Sequence, residues 1–171
     1  MKRCTVLALA GLVAWPLAAG AEHARIDLRL FRLDPGTGQS KDEAHAYADT
    51  DPPAGGLNPR PLLKVKAGEP LVLQFVFTNT YPHGVKRNVT VRYFVVREEK
   101  ARQKKVPALD KGVVTQGHFK LDFKPKGRVG ARVRFTIKER GVYLLRVESQ
   151  NTDSDHEHFS AIDLVIEGEK P

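Results

Sequence analysis

Apolar side chains recur at every second position through most of this chain. Val133, Phe135 and Ile137 alternate with Arg132, Arg134, Thr136 and Lys138, and Leu71, Leu73, Phe75 and Phe77 alternate in the same way. Successive side chains of a strand point to opposite faces, so a period of two marks a half-buried strand, whereas a helix spaces its apolar residues three and four apart. The pattern returns at Ile26, Leu28, Leu30 and Leu33, at Val89, Val91, Tyr93 and Val95, and at Phe119, Leu121 and Phe123. Two further runs, Val142 to Val147 and Phe159 to Ile166, close the chain. Helical periodicity replaces it nowhere.

Turn chemistry separates the runs: Ala67-Gly68-Glu69-Pro70, Pro82-His83-Gly84, Pro125-Lys126-Gly127 and Arg140-Gly141. Short strands punctuated in this way predict an all-β fold, an antiparallel β-sandwich of seven to nine strands. Phe75, Phe77, Val91, Tyr93, Leu145 and Val147 are then expected to share one core. Two stretches read as something other than strand. Residues 34–61, rich in Pro, Gly and Asp, form a long excursion, and residues 98–111 form a charged connection with room for one helical turn.

Tyr143 stands near the start of the penultimate predicted strand, just after Gly141. In immunoglobulin-like sandwiches a tyrosine at that place hydrogen-bonds backbone a few residues upstream, so Tyr143 is expected to be buried and bonded in this way. The run Val65 to Leu73, followed by Phe77-Thr78-Asn79-Thr80, resembles the opening of bacterial secreted immunoglobulin-like adhesion and accessory domains. The tail from Gly141 to Glu167 is similar to the end of exported bacterial domains of uncharacterised function, some of them near metal-uptake genes. The resemblance implies an immunoglobulin-like sandwich and an accessory role; its motifs describe fold more than activity.

Lys2 and Arg3, the apolar run Val6 to Val13 and the small residues Ala19-Gly20-Ala21 read as a secretory signal over residues 1–21. The apolar run is shorter than the roughly 20 residues of a spanning helix and is followed by Pro16, so a membrane span is not expected. Cys4 lies ahead of the apolar run instead of behind it, which disfavours lipid anchoring. The expected address is the bacterial periplasm or the cell exterior, with residues 22–171 as a single domain. The one cysteine and the one tryptophan lie in the signal, as Cys4 and Trp15. Disulfides, thiolate catalysis and cysteine metal ligands are therefore excluded from the mature chain.

Charge is segmented along the chain. Residues 97–140 hold 14 Lys or Arg against 5 Asp or Glu, and residues 148–171 hold 7 acids against Lys170 alone. Export removes nucleic acid as a partner, and the basic block lacks the interleaved aromatics of a base-stacking platform. What remains is an unknown protein or an anionic envelope component, whether polysaccharide, lipid head group or acidic protein. The plainer reading is that these are the solvated outer faces of strands.

Catalytic signatures are missing: there is no Gly-x-Ser-x-Gly elbow, no phosphate-cradling glycine loop and no His-Glu-x-x-His. The chain is expected to be no enzyme. In Asp155-His156-Glu157-His158 the histidines stand two apart, which on a strand puts them on one face. If the last two strands flank this segment, its loop lies at the same end of a sandwich as the loop carrying His83. His83, Asp153, Asp155, His156 and His158 are thus candidate ligands for a divalent transition metal, with zinc, copper or nickel suited to imidazole and carboxylate. Against this stand an ordinary solvated hairpin and an inward-facing His158 beside Phe159. Asp42, Glu43, His45, Asp49 and Asp51 form a second acidic cluster without the spacing of a calcium loop, read as flexible linker. His118, at a strand start, is read as structural. Cleavage after Ala21, the favoured cut, leaves His23 in second place, so an amino-terminal histidine brace is not formed; cleavage after Gly20 would put His23 third, where an amino-terminal copper or nickel chelate is chemically possible.

The leading functional reading is a non-enzymatic binding or accessory module that uses loops at one end of a rigid sandwich. The alternative is a periplasmic metal-handling protein that uses the His and Asp of the same loops.

Overall fold

The computed structural model describes residues 24–34, 36–48, 60–80, 84–103, 105–150 and 157–168. Nine strands follow one another: β1 (Ala24–Leu33), β2 (Ser40–Ala48), β3 (Leu62–Lys66), β4 (Pro70–Asn79), β5 (Lys86–Glu98), β6 (Val113–Phe123), β7 (Arg128–Thr136), β8 (Gly141–Gln150) and β9 (Glu157–Glu167). They form a four-stranded sheet in the order β2-β1-β4-β7 and a five-stranded sheet in the order β3-β9-β8-β5-β6. The protein is an all-β sandwich, and no helix occurs among the described residues. Every pairing is antiparallel except β3 against β9, which run parallel from Leu62 opposite Asp163 to Lys66 opposite Glu167.

The alternation decides which face turns inward. Ile26, Leu28 and Leu30 of β1, Leu71, Leu73, Phe75 and Phe77 of β4, Val89, Val91 and Val95 of β5, and Leu145 and Val147 of β8 are all buried in one core. Phe75 meets Phe77 edge-on at 5.9 Å and reaches across to Tyr93 of the facing sheet at 5.7 Å. The six residues expected to share the core do so, with Tyr93 half-buried at its margin. Gly68 turns the chain from β3 into β4 at φ 84°, a left-handed conformation that glycine adopts without steric cost.

Two expectations are corrected. Residues 34–61 are not one irregular excursion, because Ser40–Ala48 pairs with β1 as a full strand. Its inward residues are Ala44 and Ala46, whose small side chains bury without raising the apolar contrast that marks a strand. Glu43 and His45 stand on its exposed face, so that part of the second acidic cluster is strand surface instead of linker. Asp42 lies on the same strand, while Asp49 and Asp51 lie outside the described residues. The connection from β5 to β6 makes turns in place of a helical turn. It folds over the outer face of the five-stranded sheet, where Val106 and Leu109 pack on Phe94, Val96, Leu144 and Ala161 to make a second, smaller core.

Candidate functional site

Strand pairing gathers several connections at one end of the sandwich. Thr90 near the start of β5 pairs with Gln150 at the end of β8, and Gln150 pairs with Glu157 at the start of β9. The β4–β5 and β8–β9 connections therefore leave the same end, as the topological argument for the metal candidates requires. His83, Asp153, Asp155 and His156 themselves lie outside the described residues, and of His158 only the backbone is described, opposite Ser149. No group of three or more metal-ligating side chains occurs among the described residues. His118 is exposed on the outer face of β6, opposite Arg92, so it takes no part in the core.

A buried ionic cluster lies on the outer face of the five-stranded sheet, assembled from three distant parts of the chain. The side chains of Glu98 and Asp163 are 0% exposed, and Arg60 reaches both. Arg60 Nη2 donates to both carboxylate oxygens of Glu98 at 3.2 Å and to the Gln103 carbonyl at 3.0 Å. Its Nε lies 3.0 Å from Asp163 Oδ1 as an ion pair, off the line of a well-formed hydrogen bond. The backbone N–H of Arg102, held at φ 60°, donates to Asp163 Oδ2 at 2.6 Å. Two buried acids thus share one guanidinium. Burial pushes the Glu98 carboxyl up to about 7, the Asp163 charge adds to the rise, and Arg60 opposes it. Burial likewise raises Asp163, against Arg60 and the Arg102 N–H.

Paired carboxylates are a familiar acid–base device, but here both side chains are closed off from solvent, Asp163 accepting from the Arg102 N–H and Glu98 held through Arg60, which also bonds the Gln103 carbonyl. The arrangement fastens the β5–β6 connection to the sheet. Sequence reading missed the cluster because its members are far apart. One signal was available: Asp163 sits inside the apolar run Ala161-Ile162-Asp163-Leu164-Val165-Ile166, where an acid needs a partner.

Among the described residues, the open side is the one where β6 and β7 stand as edge strands of the two sheets. At the opposite side β1 and β2 come close to β9 and β3, whereas β7 has no comparable approach to β5 or β6. The consequence appears in burial. The inward residues of β4 are fully buried, but Phe119 and Leu121 of β6 and Val129, Ala131, Val133 and Phe135 of β7 are only partly buried against the core. Tyr93 lies across this seam on Gly117, its cross-strand partner. A Cβ at Gly117 would come within 2.6 Å of the ring, so only glycine lets the ring lie there. The Tyr93 hydroxyl makes no hydrogen bond to a described residue.

A basic rim flanks the partly buried row. Lys120, Lys124, Lys126, Arg128, Arg132 and Arg134 are exposed along β6, the turn and β7, with Asp122 the single acid between Val113 and Thr136. Arg132 donates to Gln74 Oε1 at 2.6 Å, and none of the six is ion-paired among the described residues. Shallow depressions of about 210 and 340 Å³ flank Arg132, the larger at Gly130, where β7 carries no side chain.

No family model matches the chain, and no curated protein matches it. Some solved structures are partly similar to it. The soluble domain of PmoD from Methylocystis sp. ATCC 49242 (Rockwell) is similar over 83% of this chain and 90% of its own, at a TM-score of 0.42 and 14% identity. The C-terminal domain of wzt is similar over 86% of this chain and 75% of its own, at 0.43 and 10%. A family 123 glycoside hydrolase from Clostridium perfringens is similar over 66% of this chain at 0.43 and 11%, and this chain spans 23% of that enzyme. Likeness at this level assigns no activity, and the expected place among secreted immunoglobulin-like accessory domains has no family match behind it.

Proposed function

We propose that this protein is an exported binding module, without catalytic chemistry of its own, that holds an acidic partner along the open β6/β7 side of its sandwich. One observation carries the reading: a continuous row of partly buried apolar residues is flanked by six exposed cations, none of them ion-paired among the described residues. Apolar rows of this kind between two strand edges mark interaction sites, and a single-sign rim selects the partner's charge and speeds encounter. The loops at the end of the sandwich, favoured on sequence grounds, lie largely outside the described residues. Export rests on the basic, apolar and small-residue order of residues 1–21.

Binding of polyglutamate and of a sulfated polysaccharide to the mature chain, followed at low and at near-physiological salt, tests the reading. The expected result is measurable affinity that falls steeply with salt and that is lost by about tenfold or more in a Lys120→Glu/Arg134→Glu variant. Absence of binding at low salt, or equal binding by the charge-reversed variant, overturns it.

A further inference from the structure

Resting on that reading, we infer that the partner is an extended acidic peptide segment that adds to the four-stranded sheet as a strand beside β7. Every second residue of an edge strand directs its N–H and C=O away from its one neighbour, so a free edge is a template for another strand. β7 offers such a template in full. It pairs with β4 in unbroken register from Arg128 to Thr136, without bulge, proline or inward-pointing charge, which are the devices that usually blunt an edge. Its two faces differ. Arg128, Arg132 and Arg134 point outward, and Val129, Ala131, Val133 and Phe135 point into the seam toward Phe119 and Leu121.

Cross-strand neighbours on one face interact directly, opposite charges favourably and like charges unfavourably. An antiparallel partner is therefore specified position by position. Opposite Arg134, Arg132 and Arg128 it carries acids, opposite Phe135, Val133, Ala131 and Val129 it carries apolar residues, and opposite Gly130 any residue fits. Read from its own N-terminus, the matching segment runs acidic, apolar, acidic, apolar, any, apolar, acidic. Its inward side chains would cover the partly buried row and face the Tyr93 hydroxyl.

A second copy does not meet this specification through the same edge. Antiparallel pairing of two β7 strands about Ala131 sets Arg128 opposite Arg134 twice over, and β6 presents His118 and Lys120 outward. The sequences of residues 1–23, with one acid, Glu22, and of residues 49–59 and 151–156, with acids but no alternating apolar positions, do not carry the pattern. The occupant that this charge and apolar pattern specifies is a segment of another polypeptide. Main-chain bonds would supply affinity and the alternate side chains specificity, as in other cases of strand addition.

The test uses the mature chain and a peptide of about seven residues in the stated pattern, of the kind Glu-Val-Glu-Ile-Thr-Val-Glu. Three comparisons accompany it: a scrambled peptide of the same composition, and two versions N-methylated on one or the other alternate set of backbone nitrogens. The expected result is binding of the patterned peptide, new hydrogen-exchange protection on alternate amides of β7, and loss of binding on one N-methyl set but not on the other. Affinity should fall by about tenfold or more in Arg132→Glu/Arg134→Glu. Equal binding of the scrambled peptide, or tolerance of both N-methyl sets, overturns strand addition while leaving the charged seam as a binding surface. Salt-dependent binding of polyanions without any peptide binding does the same. If neither peptide nor polyanion binds at low salt, both readings fall. Concentration-dependent self-association that protects β7 in place of peptide binding assigns the edge to a second copy and overturns the inference.

Discussion

Tyr143 closes the corner where the chain passes from β7 into β8. Its hydroxyl donates to the Glu139 carbonyl at 3.0 Å while the ring is 2% exposed, and burial raises its pKa. Tyr143→Phe keeps the ring and removes the bond, so a loss of about 1 kcal/mol is expected in urea unfolding. An unchanged midpoint would mean that the bond adds nothing to stability. Phe75 is 0% exposed and touches both sheets. Phe75→Ala is expected to cost about 3–5 kcal/mol, the usual range for an aromatic truncated in a packed core. A loss below about 1 kcal/mol would show that the core collapses around the gap. Gly117 belongs to the same class of local requirement. Gly117→Ala must displace the Tyr93 ring from the seam, and the loss of the 5.7 Å contact with Phe75 is expected to appear as a changed tyrosine emission.

At the scale of elements, the β5–β6 connection is held by charge as well as by its small core. Glu98 rises from an ordinary 4.5 to about 7 in the folded protein, so folding favours its protonated form. Its contribution to stability is complete below pH 4.5, declines as pH rises toward about 7, and levels off above that. Glu98→Gln fixes the neutral form. The difference in unfolding free energy between variant and wild type is expected to move in favour of the variant, by about 2 kcal/mol in order of magnitude, between mildly acidic and mildly alkaline pH. Other titrating groups are common to both proteins and cancel. A difference that stays flat across this range would show that Glu98 ionises normally, with its charge met in full by Arg60. Removing Arg60 is a harsher change. Arg60→Ala leaves two buried acids without their shared cation, and a loss of about 3–5 kcal/mol at neutral pH is expected, with Glu98→Gln restoring part of it.

For the molecule as a whole, alternation carried most of the fold. Period two in the long apolar runs identified seven strands, their inward faces and the shared core, because a sheet with one face in water must sort its side chains that way. Tyr143 was legible for a similar reason, since a local backbone bond depends on residues only four apart. β2 was not legible, because Ala44 and Ala46 are too small to stand out from the polar residues between them. β3 escaped too: five residues leave little room for a pattern, and its place comes from parallel pairing with β9, a contact about a hundred residues away in the chain. The basic excess of residues 97–140 was plain in the sequence, but its meaning was not. Some of those charges, as at Arg97 with Glu139, lie in surface ion pairs, while six stand on the exposed faces and turn of β6 and β7 that flank the seam. Composition cannot separate the two, because the seam exists only where the sheets fail to meet. The Arg60–Glu98–Asp163 cluster shows the same division. Local sequence determined the strands with strong apolar alternation and which way they face; tertiary structure alone decided where β2 and β3 pair, which distant charges share one buried site and which two edges stand apart among the described residues, since these depend on how the strands and sheets meet.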